Sequence, residues 1–154
     1  MTNVDIRKTM KEDLEALGRV AAETKLFPPE MLPDLVAPAL AGNPEALWLT
    51  ACVDGQPCGF CFAEAEALAD RVWNMRALAV TPSLQGRGVG SALVVELETL
   101  LRDAGQRMLL VDTSGMDGFA RTRAFYDQSA YEREARLRDY WGEGDDKITY
   151  RKVL

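Results

Sequence analysis

Apolar and polar positions along this chain follow two rhythms, one of alternate residues and one of three- and four-residue steps. Residues 4–7 alternate apolar and charged side chains and read as an edge strand. Thr9-Met10-Lys11-Glu12 has the form of a capping box, and Leu14, Leu17, Val20 and Ala21 then share one helical face. Pro28-Pro29-Glu30 starts a second helix, since proline is tolerated in a first turn; Pro38 makes its later part irregular and Gly42-Asn43-Pro44 ends it. Residues 47–53 and 59–65 are short apolar strands around Asp54-Gly55-Gln56-Pro57, a hairpin signal, and residues 71–80 complete an antiparallel meander.

The next connection cannot be a hairpin. Leu93, Val94, Leu97, Leu100 and Leu101 form the stripe of a long helix over about residues 88–104, stopped by Gly105. Met108-Leu109-Leu110-Val111 follows as a near-continuous apolar run, the mark of a parallel strand reached by a right-handed crossover. Residues 119–129 read as a short helix with Phe125 and Tyr126 near its end. Residues 131–138 and 147–153 read as strands, with 139–146 as the loop between them. The order βααβββαβαββ is that of an α+β fold with a mixed, mostly antiparallel sheet of about seven strands and about four helices.

Chemistry concentrates where the third strand gives way to the long helix. Gly86, Gly88 and Gly90 alternate with Arg87 and Val89, so the backbone can bend sharply and bring its N–H groups close to a ligand. The loop opens a helix, where free N–H groups and the macrodipole favour an anion. No Lys-Ser/Thr pair closes it as a P-loop requires, and Ser91 stands where a dinucleotide fingerprint wants glycine. Taken alone, the segment is also readable as a glycine-rich turn joining strand to helix.

Gln85-Gly86-Arg87-Gly88-Val89-Gly90 resembles the Q/R-x-x-G-x-G/A motif of the GNAT acyltransferase superfamily, and Leu78-Ala79-Val80-Thr81-Pro82 resembles its strand-to-loop entry. About 35 residues further on, Phe125-Tyr126 followed by Ala130-Tyr131 resembles the family's FYxxxGF/GY segment. The element order matches the GNAT fold across essentially the whole chain, read as one domain over residues 1–154. The resemblance implies transfer of an acetyl group from acetyl-CoA, a co-substrate, to a primary amine of a small molecule or protein within a ternary complex. It implies coenzyme contacts at Leu78, Ala79, Val80, Gln85, Gly86, Arg87, Gly88, Val89, Gly90 and Ser91. Leu78 and Val80 would act through their main chains, on the pantetheine arm and the oxyanion, in a slot between diverging strands. Tyr126 would protonate the departing thiolate.

Several positions depart from the family pattern. Asn74 stands where some members carry a glutamate base, leaving Glu64 and Glu66 acting through water, or no dedicated base, as the alternatives. Ala120 replaces a coenzyme-contacting asparagine, and Ala130 replaces a glycine that allows a tight turn. Arg121 and Arg123 are candidates for the adenosine phosphate, and Phe27 and Met31 for the acceptor side. A non-catalytic acyl-CoA-binding regulatory domain is the alternative to an enzyme.

Composition narrows the chemistry further. With 24 acidic against 18 basic residues the chain carries a net charge of −6, which disfavours a nucleic-acid partner and tolerates cationic substrates. It contains no histidine, which removes Ser-His-Asp, Cys-His and HExxH mechanisms together. Cys58-Gly59-Phe60-Cys61 is formally CxxC, but residues three apart on a strand face opposite ways, and a zinc site lacks its remaining ligands. Buried, unpaired thiols in a reducing compartment and no metal are the expectation. No export signal and no apolar run of ~18–20 residues is evident, so a cytoplasmic protein away from membranes is expected. A homodimer through the C-terminal strands is compatible with the pattern. Acceptor specificity, carried by the helical pair and the Trp141 segment, has no readable code.

Overall fold

The computed structural model describes residues 3–154. The two apolar runs around the hairpin signal become β2 (Ala46–Val53) and β3 (Gln56–Ala65), joined through Asp54 and Gly55 at φ 52° and 77°, the left-handed pair that matches the twist of a hairpin. Before them lie β1 (Val4–Lys8), α1 (Leu14–Thr24) and α2 (Leu32–Leu40). After them come β4 (Val72–Val80), α3 (Val89–Asp103), β5 (Met108–Ser114), α4 (Ala120–Gln128), β6 (Glu132–Gly142) and β7 (Asp145–Val153). The seven strands form one sheet in the order β1-β2-β3-β4-β5-β7-β6. Only β4 and β5 run parallel, as a strand-helix-strand crossover demands.

Each face of the sheet buries a separate apolar layer. α3 covers Leu49, Cys61, Trp73, Met75, Leu109, Val111 and Tyr150 with Leu93, Val94 and Leu97. α1 and α2 cover Trp48, Phe60 and Phe62 with Leu17, Val20 and Val36. Trp48 stacks on Phe62 with ring centroids 4.7 Å apart.

Four local details differ from the sequence reading. The turn before α1 is closed by Asp13, whose Oδ2 accepts the Met10 N–H at 2.8 Å, not by a Thr9–Glu12 box. Thr9 is drawn away because its hydroxyl lies 2.8 Å from that of Thr50 on β2. Burial opposes charge on Asp13, but the Arg7 guanidinium, the Met10 N–H and the Thr50 hydroxyl outweigh it and hold the carboxyl below its ordinary range. α2 runs through Pro38 to Leu40. Residues 139–146 are mostly strand, so that β6 and β7 meet in a hairpin that turns between Gly142 and Asp145.

The fourth difference concerns the thiols. Ala51 pairs with Gly59 but Cys52 pairs with Pro57, so Cys58 is the extra residue of a β-bulge. The bulge cancels the expected alternation, and Cys58 and Cys61 both pack into the α3-side layer as free thiols. Burial pushes the Cys61 thiol from 9.0 up to about 12. The folded chain therefore holds a proton that the unfolded chain releases, and stability present below pH 9.0 is lost as pH rises toward 12. Burial of Tyr126, Tyr131 and Tyr150 acts in the same direction. Urea midpoints measured at about pH 8 and about pH 10.5 should fall between the two, and equal midpoints would contradict this protonation assignment.

Candidate active site

The sheet opens into a wedge at its middle. β4 and β5 share register only from Val72 opposite Met108 to Met75 opposite Val111. Beyond that seam β4 continues alongside β3 and β5 alongside β7. A second bulge helps drive the strands apart: Met75 pairs with Ala63 and Ala77 with Phe62, leaving Arg76 unpaired and β4 bent. The strand divergence expected from sequence is thus present.

Alternation then decides which backbone groups face the opening. The Thr81 N–H donates to Cys58 O on β3 at 2.8 Å, so the main-chain groups of Val80 and Leu78 turn the other way, toward the wedge. The Val80 carbonyl accepts the Gln85 side-chain amide at 2.9 Å, which fixes the start of the glycine loop to the strand end. The side chain of Ala79 is buried toward α1, while its carbonyl faces Gly59 on β3.

Two lobes meet in the wedge. One, of about 700 Å³, is walled by Leu78, Val80, Gln85, Gly86, Gly88, Gly90, Ser91, Arg121 and the start of α4. Gly86 and Gly88 sit at φ 78° and 86°, a conformation L side chains rarely adopt, and Gly88 caps α3. The helical ladder opens with Ala92 N–H to Gly88 O at 3.0 Å, so the N–H groups of residues 88–91 have no partner farther back in the helix. Not every residue of the motif reaches the lobe. Arg87 is exposed outside its walls, and the Val89 side chain is buried in the core, leaving only its main chain at the loop.

The second lobe, of about 500 Å³, lies against Thr24, Leu26, Arg76, Ala79, Asp112, Phe119, Trp141 and Asp145. Leu78, Val80, Gln85, Thr122 and Tyr126 line both lobes. Tyr126 on α4 is 4% exposed, with its ring 5.2 Å from Phe125, 5.7 Å from Tyr131 and 5.5 Å from Tyr150. Burial, with smaller effects of Cys61 and Tyr150, raises its pKa well above the ordinary phenol value, so its O–H stays protonated at every physiological pH.

Other candidates fall elsewhere. Glu64 and Glu66 stand outside both lobes and flank Arg76, at 3.8 Å and 3.4 Å. Arg123 lines neither lobe, and its Nη1 donates to Ser114 O at 2.7 Å and Met116 O at 2.8 Å, whereas Arg121 lines the lobe of the glycine loop. Phe27 packs on Phe60, and Met31 is exposed away from the walls; Thr24 and Leu26, earlier in the chain, line the second lobe instead. Ala130 keeps the tight turn expected of glycine, at φ 66°.

Sequence reasoning missed Asp112 and Asp145. Asp112 accepts the Asn74 Nδ2–H at 3.2 Å and the Thr149 hydroxyl at 2.7 Å, and Asp145 accepts the Ser114 hydroxyl at 2.5 Å. The signal for Asp112 was a charge interrupting an apolar strand immediately after Val111. Among the described residues no group of three or more His, Cys, Asp or Glu side chains is arranged to hold a metal ion, and no helix is long and apolar enough to cross a membrane.

The family model described as Acetyltransferase (GNAT) family matches residues 9–131. Among solved structures, a GNAT-family protein from Desulfovibrio desulfuricans superposes with a TM-score of 0.90 at 28% identity, covering 98% of this chain and 99% of that one. The ribosomal-protein-S18-alanine N-acetyltransferase of Escherichia coli superposes with a TM-score of 0.81 at 18% identity, over 99% and 94% of the two chains. The PaiA N-acetyltransferase of Thermoplasma acidophilum, solved in complex with coenzyme A, does so with a TM-score of 0.78 at 19% identity, over 99% of both. The last two likenesses show the shared fold. A search of the curated proteins finds no match to the sequence. With the family model spanning most of the chain and the wedge and glycine loop in place, this protein belongs to the GNAT family of acetyltransferases.

Proposed function

We propose that the protein moves an acetyl group from acetyl-CoA directly to a primary amine of a small molecule or protein, both bound at once. The observation that carries this reading is the meeting of two lobes at Tyr126, one lined by the glycine loop and the other by carboxylates. Acetyl-CoA fits the first lobe as co-substrate: the N–H groups of residues 88–91 and the helix dipole suit its pyrophosphate, with Gln85, Gly86 and Ser91 beside them. Its pantetheine arm would lie along Leu78 and Val80 as an added strand.

Acyl transfer to an amine has three needs: a neutral nucleophile, a donor for the developing oxyanion, and a proton for the departing thiolate. A crevice-facing main-chain N–H of β4 answers the second. Tyr126 answers the third, because burial keeps its hydroxyl protonated where both lobes meet. The acceptor lobe sets Asp112 and Asp145 against Arg76, a balance that suits a cationic amine. Asn74 in place of a glutamate favours a second reading, an acyl-CoA-binding domain without turnover; Tyr126 and the intact glycine loop favour the enzyme. The three free thiols accord with a reducing, cytoplasmic setting, and a homodimer through the C-terminal strands accords with β6 as an exposed edge.

Acetyl-CoA at about a hundredfold excess over its Kd should stabilise the fold by about 2.7 kcal/mol and raise Tm by several degrees, whereas ATP and NAD should not. Equal shifts with all three ligands would reject the assignment. A panel of primary amines, followed by thiol detection of released coenzyme A, separates the enzyme from the silent binder.

A further inference from the structure

We propose that Asp112 takes the proton from the incoming ammonium, directly or through one water, and that Asn74 and Thr149 are positioning residues that aim it. This rests on the N-acetyltransferase reading. It supplies that reaction with the base that the sequence leaves open.

The first observation is how Asp112 is held. The part-buried carboxylates Asp13, Glu98 and Asp146 are each paired with an Arg or Lys. Asp112 instead has neutral partners, the Asn74 amide on Oδ2 and the Thr149 hydroxyl on Oδ1. Each oxygen keeps a second lone pair, and the residue lines the lobe that Tyr126 also lines.

The second observation is independent. Asn74 is 5% exposed, and its Oδ1 is buried with no hydrogen-bond partner among the described residues. An orphaned acceptor of this kind costs about 1–3 kcal/mol unless a donor reaches it. Asn74 is opposite Leu110 in the β4–β5 register, and Asp112 lies two residues farther along the same sheet face. An acceptor without a donor therefore adjoins a carboxylate without a cation. An ammonium group, or a water passing its proton on, reaches the Asp112 carboxylate from the lobe, while Asn74, which lines neither lobe, holds that carboxylate from behind.

The charged surroundings permit this. Asp112 shares the lobe with Arg76 from β4, Asp145 from β7 and Tyr126 from α4; α1 contributes Thr24 and β6 contributes Trp141, both uncharged. Arg76 is flanked by Glu64 and Glu66, which offset its repulsion of a cation. In the proposed step R–NH3+ and the Asp112 carboxylate become R–NH2 and the carboxylic acid. The nitrogen lone pair then attacks the thioester carbonyl, the C–S bond breaks, and the thiolate takes the Tyr126 proton. The two remaining protons redistribute through solvent, one from the N-acetylated nitrogen restoring Tyr126 and one leaving Asp112.

The test compares wild type, Asp112→Asn and Asn74→Leu across pH, using the fastest amine of the panel, with the coenzyme A-induced Tm shift recorded for each. Asp112→Asn should lower kcat/KM about tenfold to a hundredfold near neutrality, with the defect closing as pH approaches ~10.4, where a lysine-like amine is already neutral. Asn74→Leu should give a smaller defect of the same shape, and both variants should keep the coenzyme A shift. A variant Asp112→Asn that matches wild type at every pH, or is equally impaired at every pH, overturns the proposal. An amine panel inert with wild type would instead count against the acetyltransferase reading. Asp112 is then tested by a crystal of the coenzyme A complex soaked in butylammonium chloride. A nitrogen or bridging water at the Asp112 carboxylate supports the assignment, and its absence there overturns it.

Discussion

Replacing Tyr126 with phenylalanine should lower kcat by about a hundredfold to a thousandfold while leaving the acetyl-CoA-induced rise in melting temperature unchanged. The substitution removes one oxygen and preserves the ring, and the ring does the packing, against Phe125, Tyr131 and Tyr150. The glycine loop is untouched, so coenzyme affinity should hold. Loss concentrated in kcat identifies a group that acts as the C–S bond breaks, whereas a proportional loss of stability and activity would identify a core residue. Burial strengthens the expectation. Burial holds the phenol's pKa above its ordinary value, so the proton is on the oxygen when the C–S bond begins to break.

The second large effect is predicted at a residue that touches no substrate. A methyl group at Gly59 would stand 2.8 Å from the Ala79 carbonyl oxygen and 3.4 Å from the Val80 Cα, both backbone atoms of the strand that borders the wedge. Backbone cannot rotate aside as a side chain can, so Gly59→Ala must displace β4. Such overpacking costs about 1–3 kcal/mol, which for a chain of this size lowers Tm by roughly 5 °C. Acetyl-CoA affinity should fall with it, because Val80 both lines the coenzyme lobe and anchors Gln85. Gly142→Ala, where an added carbon meets nothing within 4 Å, is the control. Equal melting temperatures for the two variants would show that β4 yields without cost.

Most of the architecture was legible from periodicity because both apolar layers impose it. The stripe of α3 marks one face that must be buried, and the apolar runs of β2, β3 and β4 mark strands covered on both, so the order of elements followed. What escaped is where one residue too many enters a strand. The bulges at Cys58 and Arg76 reverse the facing of everything beyond them, and neither has a local signature that distinguishes it from regular strand. The same blindness explains the site. Gly86 and Gly88 were legible because a turn with positive φ demands glycine, and Gln85, Gly90 and Tyr126 through their motifs. Asp112 was not, because its partners Asn74 and Thr149 are 38 and 37 residues away and come together only through sheet pairing. Arg123 is a related case: the carbonyls of Ser114 and Met116 that hold its Nη1 come to it through the fold and have no sequence signal.

The short parallel seam from Val72 to Met75 has a consequence for the fit of the acyl group. The two halves of the sheet are bound together like the pages of a book along a spine only four residues tall, with the wedge at the open margin. How far the pages part at the margin is set by how tightly they are stitched at the spine. Trp73 and Leu109, buried under α3 and outside both lobes, therefore bear on the width of the wedge.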